Sequence, residues 1–115
     1  MKKLIVAGQS ERPWTTPAYW YIRLTDNLPR TDEAHEQQDP MVKVKLFNPT
    51  GIGTWWIAGY DPETGLAWGA AELFEREVGD FSMHELIAVR GLMGLPLERD
   101  LHWAPRMLSV VLAEG

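Results

Sequence analysis

Apolar and polar positions alternate most cleanly over residues 41–47, where Val42, Val44 and Leu46 fall on one side and Lys43 and Lys45 on the other. A period of two belongs to a strand with one buried face and one wet face. Asn48-Pro49-Thr50-Gly51-Ile52-Gly53 then reads as a turn, because Pro fixes φ and Gly frees it. Residues 54–60, Thr-Trp-Trp-Ile-Ala-Gly-Tyr, return as a strand that is apolar on both faces. Residues 61–65 form a second turn, and residues 66–73 a third strand. Short connections between successive strands imply an antiparallel meander. Upstream, the aromatic and branched residues 18–24 give another strand signal, and residues 4–7 a short one.

The period changes near residue 81. Ser82 suits a helix N-cap, and Glu85, three residues on, completes a capping box. Phe81 and Leu86 occupy the positions of a hydrophobic staple. The pattern predicts a helix over 83–90, with Gly91 as a left-handed stop. Residues 92–96 read as loop, 97–103 as an extended segment, and 107–113 as an apolar helix or strand. Residues 25–40 have only Leu28 and Ala34 as apolar members, so they read as an exposed polar loop with one helical turn at 34–38. The expectation is a single α+β domain over 1–115. Its antiparallel sheet of four to five strands is packed by one or two short helices.

Size and charge narrow the function. A chain of 115 residues supports one core. With no Cys, disulfides and thiolate metal sites are excluded. The net charge of −5 is uneven: residues 1–60 carry 7 basic and 6 acidic side chains, residues 61–115 carry 4 and 10. An acidic half repels phosphate backbones and suits a basic protein surface. The first apolar run spans about five residues, against roughly 7–15 for a secretion signal. No segment approaches the ~20 apolar residues of a membrane span. A cytoplasmic protein that touches neither membrane nor nucleic acid directly is therefore expected.

Residues 39–103 resemble a bacterial family known only as domain of unknown function 2958. The matching motifs begin with Asp39-Pro40-Met41-Val42, Val44-Lys45-Leu46-Phe47-Asn48-Pro49, Trp55-Trp56 and Asp61-Pro62-Glu63-Thr64-Gly65-Leu66. Gly79-Asp80-Phe81-Ser82, Glu85-Leu86, Val89-Arg90-Gly91 and Gly94-Leu95-Pro96-Leu97-Glu98-Arg99-Asp100-Leu101 follow in order. Residues 8–38 depart from the family's pattern. The resemblance implies residence on plasmids, integrative elements and phages, beside conjugation and anti-restriction genes. It implies no activity and no catalytic residue.

Candidate chemistry concentrates in three places. Glu98, Asp100 and His102, spaced by two, would share one face of an extended segment and could ligate a divalent metal or act as acid and base. An amphipathic strand with Leu97, Leu101 and Trp103 on its other face explains the same alternation without a site. Arg99 falls on that apolar side, where it suits a structural ion pair. Glu72, Glu75, Glu77 and Asp80 cluster before the helix, and Trp14 and Trp20 crowd the N-terminal part; both groups suit a protein interface. No phosphate loop or Ser–His–Asp pattern is present, and neither cofactor nor metal is expected. The leading reading is a non-enzymatic accessory protein of a mobile element. It would bind a basic protein partner and block a host defence complex, in the manner of an anti-CRISPR protein. The alternatives are a small metal-dependent hydrolase using Glu98, Asp100 and His102, and a structural homodimer.

Overall fold

The computed structural model describes residues 21–114. The two densest apolar runs form the centre of a sheet. β3 (Thr54–Asp61) and β4 (Leu66–Glu72) pair antiparallel, with Thr54 opposite Glu72 and Asp61 opposite Leu66. β2 (Val44–Phe47) lies on the other side of β3. β5 (Arg76–Ser82) extends along β4, and β6 (Glu98–Arg99) pairs with β2, giving the order β5-β4-β3-β2-β6, antiparallel throughout. The α+β architecture with an antiparallel sheet of five strands is as predicted; β2 to β5 form the meander, β6 returns beside β2, and β5 is a strand where no strand was expected.

Strand β3 is apolar on both faces because both are covered. Under α2 (Met83–Ala88), the first core gathers Tyr21, Ile22, Leu46, Trp55, Ile57, Leu86 and Leu97. Against α1 (Thr31–Glu36) and α3 (Leu108–Ala113), the second gathers Ala34, Val42, Trp56, Trp68 and Val111. Adjacent Trp55 and Trp56 thus serve opposite layers, as strand alternation requires. Each fully buried aliphatic side chain contributes about 1.5–3 kcal/mol.

Local differences from the predicted elements have identifiable causes. The run 41–47 breaks at Lys43, whose N–H donates to the Ile57 carbonyl at 3.0 Å and whose Nζ reaches the Asn27 carbonyl at 2.8 Å. Beyond that last bond to β3, β1 (Met41–Val42) pairs with β7 (Arg106–Met107) instead of the main sheet. Residues 21–24 are not strand. Tyr21 and Ile22 plug the first core, with the Tyr21 hydroxyl donating to the Leu97 carbonyl at 2.8 Å. The expected strand at 4–7 lies outside the described residues.

The polar stretch 25–40 is more than exposed loop. It holds a 3-10 turn, Leu24–Asp26, and the helix α1. Ala34 is fully buried over Gly59, where an added Cβ would lie 2.7 Å from that of Ala34. One small residue facing a bare backbone anchors a helix that composition hides.

α2 is capped by Ser82, the residue before its first turn, whose Oγ accepts from the Glu85 N–H at 3.3 Å. It ends at Ala88, earlier than predicted, and Gly91 is not left-handed (φ −90°). Instead Arg90 donates to the carbonyls of Ile87 and Val89, so its side chain supplies the C-terminal cap. The lack of a Cβ at Gly91 serves close packing: one would run into Thr50 Oγ1, which accepts from the Leu92 N–H at 2.9 Å.

Candidate functional site

The segment after Leu97 stays extended only through Asp100. Glu98 and Arg99 pair with Phe47 and Leu46, and the Asp100 N–H donates to the Lys45 carbonyl at 2.9 Å. The chain then turns at Leu101 and His102. The Asp100 carboxylate serves that turn, accepting from the His102 N–H at 2.9 Å and facing Lys45 Nζ at 3.8 Å. Leu101, expected on the apolar face, is 70% exposed, and His102 is exposed as well. The expected face of Glu98, Asp100 and His102 is therefore not assembled. Among the described residues, no group of three His, Asp or Glu is arranged to hold a metal ion.

Arg99 lies on the same side as Leu46 and closes over the first core. Its guanidinium takes both oxygens of Asp26 at 2.7 Å and the Tyr21 carbonyl at 2.8 Å. The two side chains are 15% and 9% exposed, so the pair is nearly buried. A planar fork matched to a carboxylate explains why Arg stands here.

The acidic residues of the β4–β5 hairpin divide by role. Glu72 pairs with Arg76. Arg76 also donates to the carbonyls of Val111 and Glu114 and stacks 4.5 Å above the ring centroid of Trp56. Glu75, Glu77 and Asp80 are exposed and have neither cation nor hydrogen-bond partner among the described residues. Between these acids, Leu73 and Phe74 point outward, Phe74 at 88% exposure. Leu73, Phe74, Ala71, Glu75 and Glu77 line a shallow cleft.

The strand register brings other loops to this end of the sheet. Thr54 opposes Glu72 and Phe47 opposes Glu98, so the 73–75 turn, the 48–53 turn and the segment before Leu97 follow one another across the same end of the sheet. They carry Ile52, Leu92, Met93 and Leu95, all exposed. Met93 is 90% exposed and held at φ 60°, a left-handed backbone that disfavours residues with a Cβ. The rim crosses four strand spacings of about 4.8 Å, roughly 20 Å in all. These apolar members were not singled out from sequence. Leu73-Phe74 wedged between Glu72 and Glu75 was the one available signal, because a turn otherwise favours polar residues. Trp14 and Trp20 lie outside the described residues.

Beside Tyr60, at the end of β3 away from Thr54, a hollow of about 480 Å³ is lined by Ile22, Leu24, Leu28, Tyr60 and Pro62 together with Arg23, Arg30 and Glu33. Burial, and then the charge of Asp61, raise the Tyr60 phenol above its ordinary value. A phenol held protonated is a hydrogen-bond donor rather than a base. Arg30 faces Asp61 at 3.4 Å.

The family model described as "Protein of unknown function (DUF2958)" matches residues 20–114, so the match includes Tyr21 and Asp26, upstream of the motifs that first carried the resemblance. No curated protein and no solved structure matches the chain.

Proposed function

The chain belongs to the DUF2958 family, and we propose that it works without catalysis, as a cytoplasmic protein-binding module of a mobile element whose docking surface is the 73–75 end of the sheet. The observation that carries this reading is the outward-facing pair Leu73 and Phe74, exposed without local need, sharing a cleft with the carboxylates Glu75 and Glu77, while Met93 is exposed at the same end of the sheet. Contiguous exposed apolar side chains rimmed by charge are the usual mark of an interface. The acids select a partner with a basic surface, such as the nucleic-acid channel of a defence or DNA-processing complex, and speed its encounter. The mobile-element setting implied by the resemblance fits such a partner.

Affinity purification of wild-type and Phe74→Asp/Met93→Asp protein from the native host, with mass spectrometry, tests the proposal. A partner retained by wild type, lost from the double variant and released by added salt is the expected result. Identical partner sets for both proteins, or retention that is indifferent to salt, would overturn it.

A further inference from the structure

The two borders of the sheet differ in length and in what protects them. β6 is a two-residue border tied to Asp26 and Tyr21 through Arg99. Among the described residues, β5 is a seven-residue border, in continuous register with β4 from Arg76 opposite Glu72 to Ser82 opposite Leu66. A border strand leaves a row of N–H and C=O groups without sheet partners, and proteins blunt such rows with Pro, Lys, bulges or short length. Arg-Glu-Val-Gly-Asp-Phe-Ser contains no Pro and no Lys, and β5 pairs with β4 without a bulge. Its exposed charges, Glu77 and Asp80, are both acidic, so they guard the edge against like charge and not against a basic strand.

We propose that the outer edge of β5 receives an extended, Lys/Arg-rich segment of a partner protein as a sixth strand. This rests on the protein-binding reading above and names how that partner is held. Main-chain hydrogen bonds supply affinity in strand addition, and alternate side chains supply specificity. Here one face of β5 presents Val78 and Asp80, and the other Glu77, Gly79 and Phe81, since they oppose Ala70, Trp68, Ala71, Gly69 and Ala67 respectively. A Cβ at Gly79 would meet nothing within 4 Å, so the face that Glu77, Gly79 and Phe81 share is uncovered at that position and has room for a partner's side chains. A basic side chain reaching past Glu77 enters the cleft beside Phe74, its stem on the ring and its charge at Glu75 and Glu77. The same charges select against a second copy of this chain, because pairing β5 with itself would bring Glu77 and Asp80 of both copies to one seam.

The test uses the full chain and two synthetic peptides of about eight residues, the length of an ordinary strand. One alternates Lys and Val; the other has the same sequence with every second backbone nitrogen methylated, so that it keeps its charge and loses its ladder donors. Amide hydrogen exchange is followed residue by residue. In the free protein, amides on the outer side of β5 exchange readily. With the unmodified peptide they slow by about tenfold or more, and the methylated peptide binds at least about tenfold more weakly. A Glu77→Lys/Asp80→Lys variant, shown folded by its thermal melt, loses the unmodified peptide. Slow exchange along all of β5 in the free protein, protection elsewhere than β5, or no binding by the unmodified peptide would overturn the proposal. Equal binding of the two peptides would overturn it too while leaving a charge-driven docking surface standing, which the host purification tests separately.

Discussion

At the β6 border, Arg99 spans Asp26 and the Tyr21 carbonyl, the Tyr21 hydroxyl holds Leu97, and Asp100 holds its own turn against Lys45. At the β5 border, Arg76 is fastened to Glu72 and the end of α3, but Glu75 and Glu77 face solvent beside Phe74, and Asp80 faces solvent farther along the strand. Both regions are rich in ionisable groups. In the first, Arg99 meets Asp26 in a nearly dry setting and Asp100 faces Lys45, so these charges fix the fold; in the second, Glu75, Glu77 and Asp80 leave their complement to be supplied from outside. Charge content alone does not distinguish the two. What distinguishes them is whether the topology brings a counter-charge within reach.

Substitutions at each border test that contrast. Arg99→Ala should have the largest effect, because it strands Asp26 without its cation. Removing one partner of a buried pair costs about 3–5 kcal/mol, which chemical denaturation would read as a lowered midpoint. A midpoint near wild type would mean that the pair behaves like a surface one. Arg76→Ala removes the strongest tie of the β5 border, including two carbonyl acceptors and the Trp56 ring. A loss of about 1–3 kcal/mol is expected, with faster hydrogen exchange in β5 and α3.

Glu77→Lys with Asp80→Lys should change stability by no more than about 0.5 kcal/mol, as for surface positions free of partners, while weakening attachment to the host partner. Substantial destabilisation would show that these acids belong to the fold.

The smallest effect is expected at Ser109. Its hydroxyl and then its N–H donate to Asp39, lowering that carboxyl below its ordinary 3.8. A depressed folded pKa contributes stability above the unfolded value and loses it as pH falls through the folded one. Ser109→Ala should therefore lower the unfolding midpoint slightly at about pH 7, and the gap should close as acid protonates Asp39. A gap that persists in acid would assign the effect to packing instead.

The sequence by itself determined the elements whose signals are local. The Val42–Lys43–Val44–Lys45–Leu46 alternation, the Gly and Pro turns and the Ser82 cap each depend on neighbours within a few residues, so the meander and the start of α2 were legible. Tertiary structure decided what depends on distant partners. β5 is strand because β4 offers it a ladder, although Arg76-Glu77-Val78-Gly79-Asp80 shows no apolar period. α1 is docked because Gly59 leaves room for Ala34, and Arg99 is buried because Asp26 comes to it across the fold. The expected face of Glu98, Asp100 and His102 gave way because Asp100 bonds the turn that carries His102. Hydrophobic period is written along the chain, whereas pairing of charges and of backbone edges is settled only when remote segments meet.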